Sequence, residues 1–163
     1  MSAVTGKLIG VGVGPGDPDL VTLKAMRALG AADVVAFFAK AGNSSHARTI
    51  AAPHLRAGIV ELPLNYPVTT ELPRSSAAYC DALAAFYDSA AEKIETYLKD
   101  GRGVVVLCEG DPLFYGSYMH LHARLAARFP AEIVAGVSGM SGCWSAAGLP
   151  IAQGDDVFTV LPA

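Results

Sequence analysis

Short runs of β-branched and small apolar residues alternate along this chain with longer stretches whose apolar positions recur every three or four residues. The first pattern predicts buried strands and the second amphipathic helices. "KLIGVGV" (7–13) is brief, apolar and followed by glycine, as a strand covered on both faces would be. "PDLVTLKAMRALG" (18–30) then places Leu20, Leu23, Met26 and Leu29 at helical spacing. Asp17 or Asp19 can cap its start, Pro18 suits a first turn and Gly30 suits the end. "DVVAFF" (33–38) reads as a second strand, "SSHARTIAAPHL" (44–55) as a short helix that Pro53 ends or bends, and "GIVELPL" (58–64) as a third strand.

A polar, proline-bearing loop (65–76) precedes the longest helical region, about 77–99, with Tyr79, Leu83, Phe86, Ala90, Ile94 and Tyr97 on one stripe. "GVVVLC" (103–108) is the clearest central strand, "SYMHLHARLAARF" (117–129) a helix and "AEIVAG" (131–136) another strand. The small-residue segment "SGMSGCWSAAG" (138–148) is expected to be helical, with Trp144 in the core, and "DDVFTVLPA" (155–163) to be a late strand. This order predicts an α/β fold with a mostly parallel sheet flanked by helices. Ligands of such sheets sit beyond the carboxyl ends of the strands, which directs attention to the loops at 12–18, 109–116 and 136–142.

Composition narrows the class. With 163 residues, 52% hydrophobic and 17% charged, the chain is one compact domain by length and not a disordered one. A formal charge of −3 offers no electrostatic case for nucleic acid or an anionic membrane as partner. Cys80, Cys108 and Cys143 are far apart with no C-x-x-C, which predicts a reducing compartment and buried structural thiols. No run approaches the ~18–20 apolar residues of a membrane span, and no basic segment leads into a long apolar one at the start. A cytoplasmic protein is the expectation.

The glycine-rich "GVGVGPGDPD" (10–19) fails both familiar nucleotide rules. Read as G-x-G-x-x-G, its third glycine position falls on Pro15 or Asp17, and no Gly-Lys-Ser/Thr follows for a P-loop. Asp17 also puts negative charge where a phosphate would sit. In the second loop, "CEGDPLFYGS" (108–117), Glu109 and Asp111 flank Gly110. This is either a strand-to-helix turn with an Asp-Pro cap, or a backbone shelf whose carboxylates face a cationic ligand such as a sulfonium. The third, "AGVSGMSGCWSAAGLP" (135–150), sets Ser138, Gly139, Ser141 and Gly142 at a strand end and helix start. It can be close helix–sheet packing, or a seat for something flat beside N–H groups that take a carboxylate. His120 and His122 point to different helix faces and make no metal pair, and "GVSGM" lacks the second glycine of a serine elbow.

Taken together, "GVGPGDPDLVTLKA" (12–25), "ADVV" (32–35), "CEGDPLFYGS" (108–117) and "GVSGMSGCWSAAGLPI" (136–151) resemble the N-terminal domain of the tetrapyrrole (corrin/porphyrin) methylases. "FFAKAGNSSHARTIA" (37–51) and "ELPLNYPVTTE" (61–71) are similar to the branch that methylates precorrin-2 at C-20. The resemblance implies S-adenosylmethionine as cofactor, held in a cleft between two α/β domains, and precorrin-2 as substrate, converted to precorrin-3A. It implies no metal, and a homodimer for the full-length enzyme. Carried over by motif position, Pro15, Glu109, Gly110, Asp111, Phe114, Ser138 and Gly139 are implied cofactor contacts. Asp17, Tyr66, Glu71 and Arg48 are candidate substrate contacts, with Lys40 and Arg74 as further cations for substrate carboxylates. Phe38 stands where sirohaem-type relatives carry an Asp, so no acid or base is transferred from that branch. Residues 1–155 are expected to form the first domain and 156–163 the start of the connection to a second, so that this chain alone binds cofactor weakly and turns over little. The cobalt-factor II enzyme of the anaerobic route and a non-catalytic binding module are the alternatives.

Overall fold

The computed structural model describes residues 5–68 and 71–161. The strands are β1 (Leu8–Gly12), β2 (Val34–Lys40), β3 (Val60–Tyr66), β4 (Val104–Cys108) and β5 (Ala131–Val134). The helices are α1 (Leu23–Ala31), α2 (His46–Ala51), α3 (Ala77–Lys99), α4 (Tyr118–Leu125) and α5 (Gly139–Ala147). All five strands pair in parallel in the order β3-β2-β4-β1-β5, so the fold is the α/β sheet that the alternation predicts. The central strand β4 is buried along its whole length, which is why its sequence is apolar at every position.

Chain direction decides which face each helix covers. From β1 to β2 to β3 the chain moves one way across the sheet, and α1 and α2 pack with Val11, Val35, Val105 and Leu107 on one face. From β3 to β4 to β5 it moves back, and α3 and α4 pack with Val34, Ala36, Val104 and Val106 on the other. Right-handed crossovers require this change of face when direction reverses. On α3, Ile94 and Leu98 are fully buried, each contributing about 1.5–3 kcal/mol. The Ser76 hydroxyl that caps the same helix by accepting from the Tyr79 N–H contributes about 1 kcal/mol, so packing places this helix and the cap only trims it.

Several boundaries differ from the sequence reading. The segment at 18–30 is a 3-10 turn (Pro18–Leu20) followed by α1. Asp17 caps the turn, Thr22 caps the helix by accepting from the Ala25 N–H, and Gly30 lies inside the helix. β3 runs on through Asn65 and Tyr66 because it keeps register with Ala39 and Lys40 of β2, and Thr69 and Thr70 of the expected loop lie outside the described residues. α4 stops at Leu125, four residues before Phe129, which turns back into the core just ahead of Pro130. Of the stripe expected on α3, Ala90 and Ile94 are buried, while Phe86 and Tyr97 only border the core.

Three expectations are corrected. The late strand at 155–163 does not form among the described residues, and 162–163 lie outside them. Gln153 and Asp156 hydrogen-bond to each other across a tight turn, and Val157 stands 90% exposed with no strand edge beside it. Trp144 is not in the core, because α5 buries none of its residues; its ring meets Phe158 edge-on on an outer apolar patch. Cys80 and Cys143 are exposed, so only Cys108 is a buried thiol, and burial pushes it up to about 12.

Gly12, Gly110 and Gly136 bring three strand ends into backbone contact: a Cβ on Gly12 would sit 2.5 Å from the Gly110 carbonyl oxygen and 2.6 Å from the Gly136 Cα. Gly136→Ala is therefore expected to lower stability by about 1–3 kcal/mol, read as a reduced urea midpoint with unchanged slope. At the opposite end of the sheet, Lys24 and Lys7 hold Glu132, lowering its carboxyl to about 2. A depressed carboxyl adds stability above its ordinary value of 4.5 and loses it as pH falls toward 2. The urea midpoint should drop through that window, and Glu132→Gln should flatten the drop.

Candidate active site

Because the strands are parallel, their carboxyl ends share one edge, and two neighbouring pairs there send the chain to opposite faces. β1 leads to α1 and β2 to α2 on one side, while β4, lying between them, leads to α4 on the other. Divergence of this kind opens a crevice at the strand ends. Between β4 and β1 the crevice is stitched shut by backbone. Val13 N–H donates to the Cys108 carbonyl (2.9 Å) and Gly110 N–H to the Gly14 carbonyl (2.8 Å), extending the pairing past both strands. Between β4 and β2 it stays open. One recess lies beyond the ends of β1 and β5, and a second lies between the ends of β4 and β2, where residues of the 109–117 loop line it.

The first recess has a volume of ≈ 460 Å³ and lies between Pro15, Asp17 and Leu20 on one side and Gly139, Gly142 and Cys143 on the other. Gly142 is required for close approach, since a Cβ there would meet Pro15 Cγ at 2.5 Å. Space above Gly139 is open, with nothing within 4 Å of a Cβ placed on it. Ser138 caps α5, its hydroxyl accepting from the Ser141 N–H (3.2 Å). Asp111 supports this wall from behind: one carboxylate oxygen accepts from the Leu113 N–H (2.9 Å) and the other from the Gly136 N–H (3.1 Å).

The second recess, ≈ 360 Å³, is bounded by Phe38, the 44–47 segment, Tyr66, the end of β4 and residues 115–117. Aromatic rings form its side. Phe38 stacks on Tyr66 with centroids 5.5 Å apart, and Phe86 and Tyr87 pack behind them. The Tyr66 hydroxyl is hydrogen-bonded to that of Ser117, which also accepts from the Tyr87 hydroxyl (3.1 Å). Burial pushes the Tyr66 phenol well above its ordinary range, so it stays protonated. Opposite, His46 Nδ1 lies 3.6 Å from a Glu109 carboxylate oxygen, bridging α2 and the start of the 109–117 loop. Tyr115 has a positive φ of 51°, a backbone conformation that costs a non-glycine residue about 1–3 kcal/mol.

The residues expected to bind ligands are thus distributed unevenly. Pro15 and Gly139 meet across the first recess with Asp17, and Ser138 stands at the start of its helical wall. Gly110 lies between the recesses with a positive φ of 66°. Glu109 turns its carboxylate into the second recess, where Tyr66 also lies, and Asp111 is engaged by backbone N–H groups. Phe114 lines neither recess; its ring is 41% exposed against Tyr115. Arg48 is held by Glu61 through two hydrogen bonds of 2.8 Å, which keep the Glu61 carboxyl below its ordinary range. Glu71 pairs with Lys40, and Arg74 borders Tyr66 on the far side of Ser117. His120 stacks on Tyr87 and His122 faces Tyr118.

Sequence reasoning passed over His46, Ser117 and Tyr115. The rule that ligands lie beyond strand ends applies to the loop after β2 as much as to the other three, and "NSSH" (43–46) was the available signal. Nothing in residue order brings Tyr115 and Ser117 opposite it, because that depends on β2 and β4 being neighbours.

A parallel sheet flanked by helices, with recesses at its strand ends around a glycine-centred turn, defines an α/β protein. The profile of the Tetrapyrrole (Corrin/Porphyrin) Methylases matches residues 7–163, and the chain belongs to that family. It is 59% identical over 163 residues to a precorrin-2 C(20)-methyltransferase of Sinorhizobium sp, covering 99% of this chain and 66% of that protein. It is 54% identical over 157 residues to the cobalamin biosynthesis protein CobIJ of Mycobacterium tuberculosis (strain ATCC 25618 / H37Rv), covering 96% of this chain and 31% of that one. The crystal structure of a uroporphyrin-III-C-methyltransferase from Thermus thermophilus superposes with a TM-score of 0.63 at 28% identity, over 91% of this chain and 55% of its own. The chain thus spans just under two thirds of the first relative and about a third of the second. No described helix is long and apolar enough to cross a membrane.

Removing the Asp111 carboxylate leaves the part-buried Gly136 N–H without its partner, while the exposed Leu113 N–H can turn to water. Asp111→Ala is expected to cost about 1–3 kcal/mol in denaturant unfolding, with Asp111→Asn intermediate because its amide oxygen can still accept one of the two bonds.

Proposed function

We propose that this chain supplies the strand-end site of an S-adenosylmethionine-dependent methyltransferase that methylates precorrin-2 at C-20, giving precorrin-3A in cobalamin biosynthesis. The observation that carries this reading is the 59% identity, over 99% of the chain, to a relative bearing that activity in its name. Both recesses agree with it.

The first recess fits the cofactor. Its lining is mostly small or apolar residues, with open space over Gly139 and a capped nine-residue helix beginning there. A flat base or ribose can lie on such a surface, and the helix start favours a carboxylate. Pro15, Ser138 and Gly139 are the residues that would hold it, with Gly110 as the boundary; Asp17, expected to touch substrate, lines the same recess. The bound cofactor supplies a methyl group already activated on a sulfonium. What remains for the protein is to align an electron-rich carbon with that methyl and keep water out. The aromatic side of the second recess, Phe38 and Tyr66, offers apolar faces to the edge of a conjugated macrocycle. The loop 109–117 is then where methyl donor and acceptor meet.

Two measurements test this. The full-length protein, given methyl-¹³C S-adenosylmethionine and precorrin-2 without oxygen, should yield one labelled methyl group at C-20 by NMR. Label at another carbon, or transfer only to cobalt-loaded substrate, would sink the reading. Separately, Gly139→Val should weaken S-adenosylhomocysteine binding at least about tenfold by calorimetry, corresponding to about 1.4 kcal/mol, because it fills the open space over the first recess.

A further inference from the structure

We infer that His46 is the base that removes the C-20 proton after methyl transfer, with Glu109 as its positioning residue. The inference rests on the methyl-transfer reading above. It starts from a chemical requirement. When the C-20 meso carbon attacks the sulfonium methyl, a C–C bond forms and the S–C bond breaks. Its electron pair leaves with the neutral thioether of S-adenosylhomocysteine. The macrocycle then carries one positive charge, and C-20 bears both the new methyl and its original hydrogen. Conjugation returns when that hydrogen leaves as a proton and the C–H pair re-enters the ring system. A group beside the second recess has to take the proton.

The lining of that recess leaves few candidates. Its titratable members are His46, Tyr66, Cys108, Glu109 and Tyr115. Tyr66 is a phenol held neutral by burial, and its oxygen is already hydrogen-bonded to Ser117. The Cys108 thiol is buried and pushed up to about 12, so it also keeps its proton. Tyr115 is a phenol as well. That leaves an imidazole and a carboxylate, and they face each other: His46 Nδ1 and a Glu109 carboxylate oxygen lie 3.6 Å apart.

Roles within the pair follow from this geometry. Glu109 lies on the Nδ1 side of the imidazole, so Nε2 is the nitrogen left to receive the proton. The imidazolium formed there is stabilised by the carboxylate it faces, at an ion-pair distance of 3.6 Å. A base oriented by a carboxylate is a recurrent solution to proton transfer. The pair also spans the crevice. Glu109 begins the 109–117 loop, and His46 opens α2 on the opposite bank. The base therefore stands beside the boundary where donor and acceptor meet. With its side chain 78% exposed, His46 has no packing role that would explain the contact.

The test uses the full-length protein with S-adenosylmethionine and precorrin-2 carrying either hydrogen or deuterium at C-20. His46→Gln should lower kcat by about 10²–10⁴-fold while leaving KM and S-adenosylhomocysteine affinity within about twofold. In that variant, deuterium at C-20 should slow turnover where it barely slows the wild type, since proton loss has become the slow step. His46→Ala should regain part of its rate when imidazole is added. Glu109→Gln should lower kcat less than His46→Gln and show the same gain in isotope sensitivity. A wild type that methylates C-20 while His46→Gln keeps its rate and isotope response overturns this inference alone. So does a Glu109→Gln loss that exceeds that of His46→Gln, which would make the carboxylate the base. A wild type that leaves C-20 unmethylated overturns the proposed function as well.

Discussion

The close approach of Gly12, Gly110 and Gly136 is the constraint on which the rest of this edge depends. Three strand ends touch through backbone alone, with no room for a Cβ at Gly12 or Gly136. Polar bonds then secure the contact: Gly110 N–H donates to the Gly14 carbonyl, and Asp111 accepts from Gly136. The crevice between the ends of β1 and β4 is closed by this stitching, while the one between β4 and β2 stays open.

The two recesses differ in character for reasons of composition. Around Pro15 and Gly139 most side chains are small, with Leu20 and Cys143 adding apolar surface. Around Phe38 and Tyr66 the surface is aromatic, backed by buried hydroxyls that satisfy one another. Every buried side-chain nitrogen or oxygen among the described residues has a partner, so the polar groups under the second recess cost the fold nothing in lost hydrogen bonds. The price of the arrangement is local, in the positive φ of Tyr115.

Charge on the outside of the sheet follows a separate logic. Arg48 with Glu61, Lys40 with Glu71, and the lysines around Glu132 pair at exposed positions, where solvent and salt screen each pair. Cations that look available for substrate carboxylates in sequence are therefore already engaged in the folded chain. Asp111 shows the same effect within the site, where a carboxylate that could have faced a cation is turned to backbone N–H groups.

Periodicity determined the sheet and its helices, because a strand buried on both faces must be apolar throughout and a surface helix must be apolar on one side. β4 and α3 were legible for that reason, and so were the three glycine-bearing loops, since glycine at a strand end marks close approach. Trp144 and 155–163 were misread because apolarity alone does not say whether a neighbour exists to pack or pair with. Residue types likewise marked Glu109 and Asp111 as a pair of carboxylates. Only the tertiary structure separated them, turning one to His46 and the other to the Gly136 N–H. That outcome depends on β4 lying between β1 and β2, a neighbour relation set by crossovers far apart in the chain and carried by no local pattern of residues.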